Sequence, residues 1–121
     1  MSKTLYLPLK KEWYEMIESL IKPEEYRGIV GYWIQRLMVY EDGSKISKLV
    51  AESLANNKAH LKMLLSDGKI KFIDFDFVRL SCGYTKRTRT FAFGGLSIDK
   101  GNKEWGAPED DVFIIKLGKR I

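Results

Sequence analysis

The sequence predicts an α+β fold: a small, strongly curved β-barrel of about five to six short strands, with flanking helices and an inserted helical segment at about 44–66. Three observations predict it. Short apolar alternations recur at residues 4–9, 70–80, 88–98 and 112–117, each of strand length. Gly94-Gly95 interrupts one of them, as a bulge or sharp bend in a barrel wall does. Helical periodicity is confined to residues 10–20 and 45–65, with a shorter helix or turn at 32–39.

Taken in order, residues 4–9 alternate Leu5, Leu7 and Leu9, with Pro8 marking a strand end or edge. In residues 10–20 the apolar side chains Trp13, Met16, Ile17 and Leu20 fall on one helical face, which makes Trp13 a core candidate. Pro23 pushes Lys22 out of helical geometry and is expected to end that helix alone. Residues 24–30 read as a strand running to Gly31. Glu41-Asp42-Gly43-Ser44 is a turn, with Ser44 the expected N-cap of the helical block. From Lys45 to Leu65 there is neither Gly nor Pro, and Asn56-Asn57 is a natural place to split the block in two. Its apolar face is expected to pack on the barrel, with self-association through residues 45–65 as the second option. Ile73, Phe75 and Phe77 alternate with Asp74 and Asp76 in a strand over 70–80, and 112–117 is an apolar run suited to a buried strand.

Composition bounds the function classes. A chain of 121 residues with 45% hydrophobic and 12% aromatic residues is expected to fold as one domain, 1–121, around a real core. One cysteine, Cys82, supplies no disulfide framework and no multi-cysteine metal site. One histidine, His60, poorly supplies zinc ligation or a His-based catalytic pair; it reads as a bystander and Cys82 as a structural thiol. No metal and no cofactor are expected: there is no Walker A pattern, no GxGxxG and no HExxH. The N-terminus has no long apolar run, so neither a signal peptide nor a membrane span is expected, and the compartment is expected to be cytoplasmic. The net charge of +5 points to an acidic partner.

Four constellations stand out. Lys22, Glu25 and Arg27 gather opposite charges where the first helix ends; an extended chain puts Glu25 and Arg27 on one face, Lys22 and Tyr26 on the other. They read either as a structural ion-pair cluster or as a pocket floor. In the pocket, Arg27 would be a planar fork for phosphate or a base edge, Lys22 a point charge and Glu25 an acceptor for an exocyclic amine. Glu104-Trp105-Gly106 places a tryptophan in a loop, either to stack a base or to plug the barrel end. Trp33 is similar but leans toward core, since Ile34 and Leu37 continue its segment. Tyr84-Thr85-Lys86-Arg87-Thr88-Arg89 interleaves an aromatic with three bases, the composition of a surface that tracks phosphates with Lys86, Arg87 and Arg89. It is also the composition of an ordinary exposed hairpin loop.

The Lys22-x-x-Glu25-x-Arg27 run, behind a strand and a Trp-bearing helix, resembles the signature of the ASCH domain family in the PUA-like superfamily. So do Tyr32-Trp33-Ile34-Gln35-Arg36-Leu37, Phe75-Asp76-Phe77-Val78-Arg79 with Gly83-Tyr84, Glu104-Trp105-Gly106-Ala107-Pro108, and Val112–Gly118. The chain looks most similar to small ASCH proteins encoded by phages and prophage-like regions, except over 41–72, where the family is more direct. The resemblance implies a PUA-like curved barrel with Lys22, Glu25 and Arg27 lining a cleft, and a module that binds RNA or a modified nucleotide there. Trp33 and Trp105 would line it too. Some ASCH-type proteins resemble N4-acetylcytidine amidohydrolases, in which a Thr nucleophile follows the Lys by three residues. Here that position is Glu25, so a small hydrolase acting on a modified nucleoside or on RNA, with Lys22 and Glu25 as its acid and base, is the alternative. A monomer is expected. Leu20 stands where the family often has a glycine, and Cys82 where it often has a polar residue.

Overall fold

The computed structural model describes residues 2–121. In chain order the elements are β1 Thr4–Leu9, α1 Lys11–Glu18, β2 Glu24–Gly28, α2 Gly31–Leu37, β3 Met38–Tyr40, α3 Lys48–Ala55, α4 Lys58–Ser66, β4 Ile70–Phe72, β5 Phe77–Cys82, β6 Thr88–Lys100, a 3-10 turn Lys103–Trp105, and β7 Asp111–Arg120. They fall into two compact units. One comprises the chain up to Tyr26 together with Asp74–Ile121, and the other comprises Arg27–Ile73. The second unit is wider than the helical segment expected at 44–66, because α2 and the β3–β4 pair belong to it as well.

The first unit carries a curled five-stranded sheet, half of a barrel, in the order β1-β5-β6-β7-β2. β1 and β5 are parallel, while β5–β6 and β6–β7 are antiparallel. The register aligns Leu5 with Val78 and Val78 with Phe91, so three buried apolar side chains face the same way across three strands. Leu7 and Leu80 form the next row. Burial of each such side chain favours folding by about 1.5–3 kcal/mol. α1 lies against β5 and buries Tyr14 and Ile17. Its expected apolar face is therefore rotated: Trp13 and Met16 are half-buried, and Leu20 is exposed.

β6 bends where Gly94-Gly95 predicts. Its register against β7 shifts between Phe91 and Phe93 and again between Phe93 and Gly95. Gly94 admits no side chain, since a Cβ there would sit 2.8 Å from the Lys116 carbonyl oxygen. The strand expected over 70–80 is instead two, β4 and β5, which lie in different units.

α1 ends in a way the sequence did not announce. Leu20 adopts φ +65, the left-handed conformation that usually falls to glycine after a helix. The N–H groups of Ile21 and Lys22 then return to the Met16 carbonyl at 2.9 and 3.1 Å. Pro23 does not act alone. A leucine in this conformation costs about 1–2 kcal/mol, and here its side chain is 70% exposed, so little burial offsets the cost. Leu20→Gly is therefore expected to raise the unfolding free energy by about 0.5–1 kcal/mol, part of the gain being lost to glycine's unfolded-state entropy. Urea unfolding of the two proteins measures it, and a loss of stability would mean that Leu20 supports the fold through contacts.

In the second unit α2 packs on α3, α3 on α4, and β3 pairs antiparallel with β4. Gly31 lies so close to α3 that a Cβ would stand 3.0 Å from Glu52 Cγ. Ile34, Leu37, Met38, Ile46, Ala51, Leu54, Leu61 and Ile70 are buried. Ser47, not Ser44, caps α3, its hydroxyl accepting from Val50 N–H at 3.2 Å. Ser44 serves the preceding turn, where its N–H and hydroxyl both donate to Asp42 Oδ1. Those bonds hold the Asp42 carboxyl below its ordinary range. The helical block divides at Asn56-Asn57, and Asn57 caps α4 by accepting from His60 N–H.

Candidate functional site

Lys22 emerges from the turn that Leu20 opens, and it is buried: only 1% of its surface is exposed, and 5% of that of Glu25. The ammonium stands 2.9 Å from Glu25 Oε1 and donates to the Trp105 carbonyl at 2.5 Å. It also lies 4.5 Å from the Tyr26 ring centre and 5.4 Å from that of Trp13. A carboxylate, a carbonyl and two π faces thus surround one cation, which is what a buried charge requires. The alternation expected from an extended chain does not reach Lys22, because it precedes β2. Glu25 turns toward Lys22, and its Oε1 also accepts from Tyr26 N–H at 3.0 Å.

Around this cation the loop after β6 is locked down. The Tyr26 hydroxyl donates to Glu24 at 2.7 Å and accepts from Asn102 N–H at 3.0 Å. Burial pushes its phenol well above the ordinary tyrosine range, and the Glu24 carboxylate adds to the rise. Asn102 in turn caps the 3-10 turn by accepting from Glu104 N–H. Gly106 closes the turn at φ +95, where a Cβ would lie 2.9 Å from the Trp13 ring. Trp105 is half-buried against the cluster of Tyr26, Ala107, Val112 and Ile114. The sequence offered Trp105 either as a stacking platform or as a plug; its carbonyl anchors Lys22, and its ring is partly committed to that cluster.

Arg27 and Trp33 belong to the second unit, where they meet each other. The Arg27 guanidinium lies 5.2 Å from the Trp33 ring centre, and Arg36 lies 5.7 Å from the same ring. Tyr32 packs edge-on to Trp33 at 4.9 Å and is 60% exposed. These residues make a small stack of cations and aromatic rings.

The third group is the β5–β6 hairpin. Tyr84 at its tip is 97% exposed, and Lys86 beside it is exposed too. Arg87 and Arg89 both reach Glu18 at the end of α1, at 2.7 and 3.3 Å, and Arg87 is also 3.6 Å from Glu15. Arg120 from β7 donates to the Glu18 carbonyl at 3.2 Å. The hydrogen bond from Arg87 holds the Glu18 carboxyl below its ordinary range. Family models, curated proteins and solved structures give no match to this chain.

His60 lies exposed on α4, and Cys82 is a half-buried free thiol at the end of β5. Among the described residues no group of three or more His, Cys, Asp or Glu side chains is placed to hold a metal ion, and no helix is long and apolar enough to cross a membrane. Sequence reasoning missed Trp13 and Tyr26 as partners of Lys22, and Glu18 and Arg120 as partners of the hairpin. Two signals pointed to them: a lysine flanked by apolar residues needs an acceptor, and a glutamate at a helix C-terminus opposes the helix dipole unless cations answer it.

Proposed function

We propose that this chain is a nucleic-acid-binding module, an ASCH domain of the PUA-like kind, that takes RNA or a modified nucleotide. The observation that carries the proposal is the hairpin: an almost fully exposed Tyr84 at its tip, with Lys86, Arg87 and Arg89 alongside. An exposed aromatic ring among cations suits a single strand, whose bases stack on rings while its phosphates meet guanidinium groups. A tyrosine left in water contributes nothing to the core, and its ring faces stay open to a stacking base. In this reading the Lys22–Glu25 pair positions the Trp105 loop rather than meeting the ligand, because both side chains are buried against each other. The curled sheet is compatible with a PUA-like barrel.

Fluorescence anisotropy with a labelled single-stranded RNA, repeated over a range of salt, tests it. Two or three phosphate contacts give a log–log salt slope of about −1.4 to −2.1. Arg87→Ala with Arg89→Ala is expected to weaken binding about tenfold or more and to flatten the slope by about 1.4, while Tyr84→Ala weakens binding with little change of slope. Salt-independent binding, or binding unchanged in the double variant, would overturn the assignment.

A further inference from the structure

The hairpin arginines do not stand free. Antiparallel pairing sets Arg89 opposite Leu80 and Arg120 opposite Phe91, so both side chains project from the face of the sheet that carries the buried apolar rows. There, at the end of α1, they meet Glu18, and Arg87 joins them from the hairpin. Two guanidinium groups thus meet the Glu18 carboxylate, and a third is held beside them by the Glu18 backbone carbonyl. The helix that supplies it has no basic residue in its last turn, and a carboxylate at that end opposes the helix dipole.

A purely structural role, pinning the hairpin to α1, accounts for these ion pairs. It does not account for Tyr14. That side chain is 1% exposed, and its hydroxyl is turned toward the Glu18 carboxylate without a hydrogen bond of good geometry among the described residues. The Arg87 guanidinium lies over its ring at 5.1 Å. Burial raises its phenol, and the nearby Glu18 carboxylate adds to the rise. A buried hydroxyl whose neighbouring carboxylate holds it poorly is costly, so beside Arg87 and Arg89 it marks a place for a better-placed acceptor oxygen. Arg87 and Arg89 remain 46% and 44% exposed on their side chains, which leaves the cluster open to solute.

We propose that Arg87, Arg89, Arg120 and the Tyr14 hydroxyl form a phosphomonoester site in which Glu18 is a built-in competitor. The proposal rests on the nucleic-acid reading for its ligand and adds the selectivity of that same surface. Glu18 is tethered, so it competes at an effective concentration of about millimolar. A phosphodiester carries a single charge, as the carboxylate does, so it displaces Glu18 only weakly and shares the arginines with it. A phosphomonoester carries about −1.5 to −2 with three acceptor oxygens, and it engages the guanidinium groups and the Tyr14 hydroxyl together. Glu18 then swings out to water, where its charge is solvated. The source of the phosphate is either the end of a strand or a free nucleotide.

The test uses four probes on the full chain: a hexameric RNA with a 5′-phosphate, the same RNA with a 5′-hydroxyl, a nucleoside monophosphate, and inorganic phosphate. Titrations are followed by calorimetry and by the NMR signals of the arginine Nε–H groups. The phosphorylated hexamer is expected to bind about tenfold more tightly than the hydroxylated one. Glu18→Gln is expected to improve binding of both and to narrow the difference to about threefold or less, because the competitor is gone. Tyr14→Phe should lose part of the preference without affecting the hydroxylated hexamer. Equal affinity of the two hexamers for the natural protein overturns the site even if RNA binding stands. Binding of the monophosphate and of inorganic phosphate with Arg87 and Arg89 shifts, but of neither hexamer, supports the site with a free phosphomonoester as its source and overturns the nucleic-acid reading. Absence of arginine shifts with every probe in both natural protein and Glu18→Gln overturns both.

Discussion

Glu25→Leu is expected to lower the unfolding free energy by about 3–5 kcal/mol, the range for removing one partner of a buried ion pair. The Lys22 ammonium would keep the Trp105 carbonyl and two aromatic faces but lose the carboxylate that balances its charge, in a setting where 1% of its surface reaches water. Lys22→Met should cost a similar amount, since it takes the cation from a Glu25 that is only 5% exposed. The informative protein is the double variant, Lys22→Met with Glu25→Leu. Replacing both charges with apolar groups of similar volume is often neutral or stabilising, so it should recover most of the loss of either single variant. Urea unfolding followed by tryptophan fluorescence reads all of this, because Trp13 and Trp105 adjoin the pair. Single variants that cost less than about 1 kcal/mol would mean that the pair does not anchor the loop. If the double variant also binds RNA as the natural protein does, Lys22 and Glu25 are structural; if binding is abolished while folding is retained, they meet the ligand.

Gly106→Ala should be the next most damaging change, at about 2–4 kcal/mol. Two causes add. An alanine at φ +95 bears a backbone cost of about 1–2 kcal/mol. Its methyl group would also stand 2.9 Å from the Trp13 ring, closer than carbon atoms pack, and overpacking of that kind costs about 1–3 kcal/mol. Gly43→Ala is the control, because Gly43 has φ +86 and a methyl group there would meet nothing within 4 Å. The difference between the two variants isolates the contact between the 3-10 turn and α1. Thermal unfolding of both measures it, and equal losses would show that the ring yields without cost.

β1, β2, β6 and β7, the two-part helical block and the bend at Gly94-Gly95 were legible in the sequence, because each rests on local rules: alternation, capping asparagine, paired glycines. The same rules misled where a residue's neighbours come from far along the chain. Ser44 is as good a cap as Ser47 by type, but only Ser47 stands at the first turn of α3. Leu20 was read as one of an apolar face and became the left-handed end of α1, with its side chain in water. For Lys22, Glu25 and Arg27, alternation says neither that Lys22 and Glu25 are buried together nor that Arg27 lies over Trp33. The charge of the hairpin was legible, but not Glu18 and Arg120, which pairing across β5, β6 and β7 and the end of α1 bring to it.

By itself the sequence determined the α+β class, the approximate places of β1, β2, β6, β7 and the two-part helical block, and the concentration of cations at residues 86–89, since these follow from periodicity, turn chemistry and composition over short stretches. Only the tertiary structure decided which charges are buried and which meet water. Lys22 and Lys86 are the same residue type, but one is enclosed by Glu25, Trp105, Tyr26 and Trp13 and the other lies exposed. That difference depends on desolvation by side chains up to 83 positions away, and burial of that kind is a property of the packed chain that no local pattern carries.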